Sequence, residues 1–271
     1  MKALKYKTTM FATMAALVLS AFSTEDTQAT ESFEYRAFKN QAFAPGETLK
    51  YRIHYGVIGA GTMEYTVDKN FHKISNRSAY KITAKGRSYS SFDWFYKVRD
   101  EFVTYIDSSS IAPLQYSKDQ HEASYHSTDF AIYRHDLGKI YTKKKTLEMA
   151  AYTQDAISAI YYARNIDLRN AKVGQEFPID VYLDQEIYHL KFKFLGRETI
   201  KTDIGKVKAL KVSPTLVADR VFGDENGMTI WVSDDDNKIP LRIKSELAVG
   251  SIKADITSYA GLKNPFKSMV K

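Results

Sequence analysis

Residues 47–55 read ETLKYRIHY. Leu49, Tyr51, Ile53 and Tyr55 alternate with Lys50, Arg52 and His54. In an extended chain the apolar side chains then share one face and the charged ones the other. Pro45-Gly46 just before the run is a turn signal. The same period of two recurs along the chain. It marks Met63–Val67, Tyr80–Lys85, Val98–Ile106, Asp129–Arg134 and Ile140–Thr142. In the second half it marks Phe177–Leu183, Tyr188–Leu195, Val207–Val212 (lysines outward), Met228–Ser233, Leu241–Leu247 and Ser251–Ile256. Roughly eleven to thirteen strands at such spacings predict an all-β, mainly antiparallel protein. A curved sheet, forming a barrel or half-barrel, suits this length.

One segment has a different period. In DAISAIYYARN, residues 155–165, Ala156, Ile157, Ile160, Tyr161 and Arg164 fall at helical spacing. Asp155 is placed to cap the start. A short helix is expected there, packing Ile157, Ile160 and Tyr161 against the sheet.

The beginning of the chain points to export. Lys2, Lys5 and Lys7 precede an apolar run from Met10 to Phe22. That run is shorter than the roughly 20 residues that span a bilayer, but it fits a secretory signal peptide. Residues 1–29 are read as that peptide, with cleavage near residue 23 or 29, and residues 30–271 as a single β-rich domain. The chain contains no cysteine. This excludes disulfides, thiol catalysis and thiolate metal sites, along with the cysteine on which a lipoprotein carries its lipid. The expectation is a periplasmic or secreted protein that is not a lipoprotein. The formal net charge of +7 either favours anionic lipid, lipopolysaccharide or acidic glycan as a partner or serves general solubility, since the lysines are scattered among acids. No basic helix or recognition motif accompanies the charge, so nucleic acid is not expected.

Four motifs bear on chemistry. Gly56, Gly59 and Gly61 do not have the spacing of a dinucleotide fingerprint and precede a strand pattern, so they mark a bend, a bulge or a close backbone approach. In HEASYH, His121 and His126 are five apart, which separates them by about 140° on a helix and puts them on opposite faces of a strand. No metal site and no cofactor is expected. His54, His72, His135 and His189 stand on or beside charged strands and read as solvated. Asp234-Asp235-Asp236 lacks the alternation and glycine of a calcium loop and suits a turn between two strands, with Trp231 and Ser233 on one face before it and Leu241, Ile243, Ser245 and Leu247 sharing a face after it. In SFDWFYKV, residues 91–98, a strand would put Phe92, Trp94 and Tyr96 on one face. They are either core or an aromatic platform for a sugar ring or lipid chain, and are taken as candidate ligand-binding residues.

No nucleophile elbow, Walker loop or kinase signature occurs, although a catalytic triad assembles in space and needs no sequence motif. The leading expectation is an envelope protein that binds an apolar or glycan ligand without catalysis. The alternatives are an envelope hydrolase with a dispersed site and a structural or interaction protein. Three stretches, FAPGETLKYRIHYGVIGAG, DAISAIYYARN and IWVSDDDNKIPLRIKSELAVGSIKADI, occur in this order. Together they resemble the bacterial exported-protein family known as domain of unknown function 3108, over about residues 38–262. The resemblance implies an exported, β-rich, barrel-like domain. It brings no catalytic residues with it.

Overall fold

A computed structural model describes residues 33–216, 227–247 and 250–270. The expected signal peptide lies outside the described residues. The first half carries β1 (Thr48–Tyr55), β2 (Ile58–Val67), β3 (His72–Ile74), β4 (Arg77–Ser88), β5 (Val98–Asp107), β6 (Pro113–Glu122), β7 (Tyr125–Arg134), β8 (Lys139–Thr142) and β9 (Thr146–Glu148). Then come β10 (Gln154–Asp155), the helix α1 (Ala156–Ala163), β11 (Glu176–Leu183), β12 (Glu186–Thr202), β13 (Gly205–Leu216), β14 (Met228–Ser233), β15 (Pro240–Glu246) and β16 (Ser251–Ala260).

These strands form one large sheet in the order β10-β11-β12-β13-β14-β15-β16-β1-β2-β4-β5-β6-β7-β8-β9, with β3 paired to β4. Among the described residues only the two-residue β10 pairs in parallel, with β11. The sheet does not close: β9 and β10 are its two edges. At its centre β1 lies between β16 and β2, with Thr48 opposite Ala260 and Tyr55 opposite Ile252. The described residues from Tyr35 onward form one compact unit.

The glycines near β2 behave as their spacing predicts. Gly56 makes the β1–β2 turn at φ 55°, and the β1–β2 register slips between Ile53 and His54. A Cβ on Gly61 would meet the Arg87 carbonyl oxygen at 2.3 Å. Only glycine lets β2 and β4 lie so close.

α1 matches its expected position. Asp155 accepts hydrogen bonds from the Ile157 and Ser158 amides, and the Ser158 hydroxyl accepts from the Asp155 amide. This reciprocal capping box satisfies donors the first turn leaves free. Ile157 and Tyr161 are buried among Phe43, Tyr80, Ile106 and Tyr133.

Three strand readings need correction. Residues 90–95 are turns, not strand. Phe95 and Tyr96 donate their amides to the Phe92 carbonyl, so Phe92, Trp94 and Tyr96 do not share a strand face. The lysines of Val207–Val212 do not all point outward. Ala209 and Lys211 share a face, with Lys211 over the Trp231 ring at 5.4 Å, while Leu210 and Val212 turn the other way. Leu241 and Ile243 do not share a face, because a bulge opposite Trp231 and Val232 intervenes. Leu241 joins Trp231 and Ile256 in the core, and Ile243 faces a pocket on the other side. Strand β6 escapes the period-two reading altogether: its sequence PLQYSKDQHE is mostly polar. The aspartates do lie between β14 and β15. There Asp235 accepts from Ser233, Asn237, Lys267 and Ser268, tying the C-terminal segment to the turn.

One buried ion pair joins distant parts of the chain. Arg164, which ends α1, donates to both carboxylate oxygens of Glu47 at 2.6 and 2.7 Å, and both side chains are buried. Its remaining donors reach the Asn237 and Ala42 carbonyls at 2.9 Å. The guanidinium also lies 5.0 Å from the Tyr161 ring centre. Burial works against the charge on Arg164, but the Glu47 carboxylate outweighs it and raises the pKa above the usual arginine value. Removing one partner leaves an uncompensated buried charge, so Arg164→Ala or Glu47→Ala costs about 3–5 kcal/mol in urea denaturation. In a double-mutant cycle, the Glu47→Ala, Arg164→Ala protein loses less than the two single losses added together.

Candidate functional site

β13 and β14 are apolar on both faces. Val207, Ala209 and Trp231 face Leu241, Ile239 and Ile256. Leu210, Val212, Ile230 and Val232 face the opposite way, toward Leu168 and Phe194. A sheet region covered on both sides buries residues that an alternating pattern would leave in water. The covering on the second face is the end of α1 and the segment that follows it.

Between this covering and the strands lies a pocket of about 70 Å³. Its floor is Phe177 of β11, Phe192 of β12, Val212 of β13, Ile230 and Val232 of β14, and Ile243 of β15. Ile160, Ala163, Ile166 and Leu168 form the roof. Two cations border it, Arg164 and Lys238. Arg164 is committed to Glu47. Lys238 is half-buried at φ 44° and, among the described residues, makes no ion pair within 4 Å. Burial lowers its pKa below the usual lysine value, opposed by the more distant charges of Asp236 and Asp167. The arrangement is an apolar chamber with one uncommitted ammonium at its border.

Phe92, Trp94 and Tyr96 are not part of this pocket. Phe92 is half-buried, and its ring packs edge-on against Phe95 at 5.5 Å. Trp94 is 85% exposed. The three aromatics sit on a loop joined to two hairpin tips. Tyr89 donates its amide to Ala60, Ala123 donates to Lys97, and the Tyr96 hydroxyl donates to Glu122. Val57, Ile58 and Tyr125 on those tips are exposed as well, giving one apolar rim at this end of the sheet.

The histidines are more engaged than expected. His54 pairs with Asp255, His72 with Asp68, and His189 with Asp180. Among the described residues, no histidine that meets a carboxylate also hydrogen-bonds a hydroxyl, so no serine-type triad is assembled there. His121 and His126 lie directly opposite each other across the β6–β7 hairpin. The expectation of opposite faces fails because the chain reverses between them.

His135 is buried, not solvated. Its Nδ1 accepts from the Tyr152 amide at 3.2 Å and its Nε2 donates to the Pro113 carbonyl at 2.8 Å. Burial lowers its pKa below the usual imidazole value. The Pro113 carbonyl opposes this, Arg36 assists it, and Asp136 and Asp107 oppose it. A histidine with a depressed folded pKa gives stability that is full above its unfolded pKa of about 6.5 and is lost as pH falls through the folded pKa. Urea denaturation between pH 7.5 and 5 will therefore show the wild type losing stability over this window, with a shallower loss in His135→Gln.

Among the described residues the fold is an open, mainly antiparallel sheet with one α-helix, an architecture of the β-barrel-like kind. The chain belongs to the family described as protein of unknown function (DUF3108), which matches residues 50–257. It is similar in structure to a β-barrel-like protein of domain of unknown function DUF1849 from Brucella abortus, at 12% identity and a TM-score of 0.53, covering 81% of this chain and 99% of that one. Further similar structures are a protein provisionally named a lipoprotein from Parabacteroides distasonis (13% identity, TM-score 0.34, 84% of this chain and 100% of that one) and a provisionally named exported protein with a YmcC-like fold from Bacteroides fragilis (11%, TM-score 0.35, 84% and 100%). No curated protein matches the sequence. No helix among the described residues is long and apolar enough to cross a membrane.

Proposed function

We propose that the protein is an exported, non-enzymatic binder of an envelope lipid, taking the end of an acyl chain in the pocket beneath α1. The observation that carries this reading is the chamber of apolar side chains bordered by the uncommitted ammonium of Lys238. An apolar lining with a few polar groups is the usual form of a small-molecule site. The volume limits the ligand. An engineered apolar cavity of about 150 Å³ takes up benzene, so 70 Å³ holds only the last few methylenes. A longer chain enters when the roof of Ile160, Ile166 and Leu168 lifts. Lys238 then faces an anionic head group, a charge-assisted contact stronger than a neutral one.

Isothermal titration with dodecanoate tests this. The expected result is saturable one-to-one binding, lost in Ile230→Trp, which fills the chamber, and weakened in Lys238→Ala. Thermal melting checks that both variants fold. Absence of saturable binding in the wild type, or full binding by a folded Ile230→Trp protein, would overturn the assignment.

A second reading, an interaction protein, rests on the apolar rim. Trp94, Phe95, Val57 and Tyr125 are all exposed there, and exposed apolar patches of this kind mark contact surfaces. The chain has two tryptophans, and Trp231 is buried, so Trp231→Phe leaves Trp94 as a reporter. Contact with the membrane surface predicts a blue shift of its emission on adding phosphatidylethanolamine–phosphatidylglycerol vesicles. An unshifted spectrum removes membrane contact from this reading.

A further inference from the structure

The β6–β7 hairpin brings together three side chains of a different chemistry. Glu122 pairs with Tyr125, leaving a two-residue loop of Ala123 and Ser124. Ala123 takes φ 51°, the positive value such a loop asks of its first residue. The tight reversal sets His121 opposite His126. Their rings stack at 3.9 Å between centres, 16° from parallel. Asp119, two residues before His121, projects from the same face of β6. Its Oδ1 lies 3.0 Å from the His121 Nε2 and 2.9 Å from the His126 Nε2. Two imidazole nitrogens and one carboxylate oxygen therefore converge, all within 4.8 Å of one another.

We propose that Asp119, His121 and His126 form a binding site for a divalent transition-metal ion of the zinc class. The donor set is the one such ions prefer, and three protein ligands leave a coordination position open to water. The spacing suits it. In a tetrahedral zinc site with bonds of about 2.0–2.1 Å, ligand atoms sit about 3.3 Å apart. The Oδ1–Nε2 distances need to widen by only a few tenths of an ångström. The ladder on both sides of the hairpin holds the donors in place: β6 is paired to β5 as well as to β7. The flanking charges are largely engaged. Arg99, across β5 from His121, is bound to Asp93 at 2.6 Å; Glu101, across from Asp119, is bound to Lys85 at 2.8 Å; and Lys143 reaches the Thr128 hydroxyl. The site is exposed, at about half the surface of each ligand side chain, so an ion reaches it without any opening of the fold. It does not depend on the acyl-chain pocket.

The test is isothermal titration of the untagged, chelator-stripped protein with Zn²⁺ at pH 7.5. Saturable binding of one equivalent is expected. His121→Ala and His126→Ala should each weaken it at least about tenfold, and Asp119→Asn should weaken it too. His189→Ala, which removes a comparable exposed histidine–aspartate pair, should bind as the wild type does. Imidazole proton resonances of His121 and His126 should shift together on adding the ion. Circular dichroism melting identifies any misfolded variant, in which case His121→Gln replaces it. Absence of one-equivalent binding, or binding retained in both folded histidine variants, overturns the site.

Discussion

The Arg164–Glu47 ion pair is the constraint on which the remainder of the fold depends. Arg164 ends the helix, Glu47 immediately precedes the central strand β1, and the same guanidinium holds the carbonyls of Ala42 and Asn237. Three segments far apart in sequence, around residues 42–47, 164 and 237, meet at one planar group. A lysine could not do this, because only the guanidinium offers a fork to both carboxylate oxygens while keeping donors for two carbonyls. Arg164 also borders the pocket, so the roof of the pocket begins at a residue fixed by four buried hydrogen bonds.

That placement explains how an apolar chamber persists. The roof is anchored at Arg164, while the residues beyond it, Ile166 and Leu168, pack against Phe194 and Val212, and Arg197 donates to the Leu168 carbonyl at 2.7 Å. Packing is non-directional and proportional to area, whereas the ion pair is directional. Each end of the covering is thus pinned by an arginine, Arg164 at one and Arg197 at the other, with apolar packing between them. The bulge in β15 completes the chamber by turning Ile243 away from the core side where Leu241 lies.

The sequence made most of the sheet legible, because period-two alternation reports burial on one face. Strand β1 and helix α1 fall almost where their residues place them. The failures share a cause: wherever both faces are covered, or neither is, alternation loses its meaning. β13 mixes lysines into both faces, β6 is mainly polar, and the aromatics of residues 91–98 belong to a turn. The candidate sites were less legible still. The pocket arises from strands distant in sequence, and no local motif announces it. The histidine pair was visible as residues but misjudged as geometry, because the spacing argument assumed one continuous helix or strand. Ala123-Ser124 lacks the Asn-Gly or Asp-Gly signature of a two-residue hairpin, so the reversal that unites the histidines had no strong local signal.

The pairing of β1 with β16 has a consequence for how the molecule forms. The first long strand finds one of its two neighbours in the last, with Thr48 opposite Ala260. The halves of the sheet can each zip through neighbouring hairpins, but the seam between them closes only when nearly the whole chain is present. Contacts of such long sequence separation slow folding, and β1 keeps an open edge able to pair with foreign strands until then. The newly made chain is thus most vulnerable at β1, the strand that ends at the centre of the sheet, and a holding partner that shields β1 during synthesis would act where self-association begins.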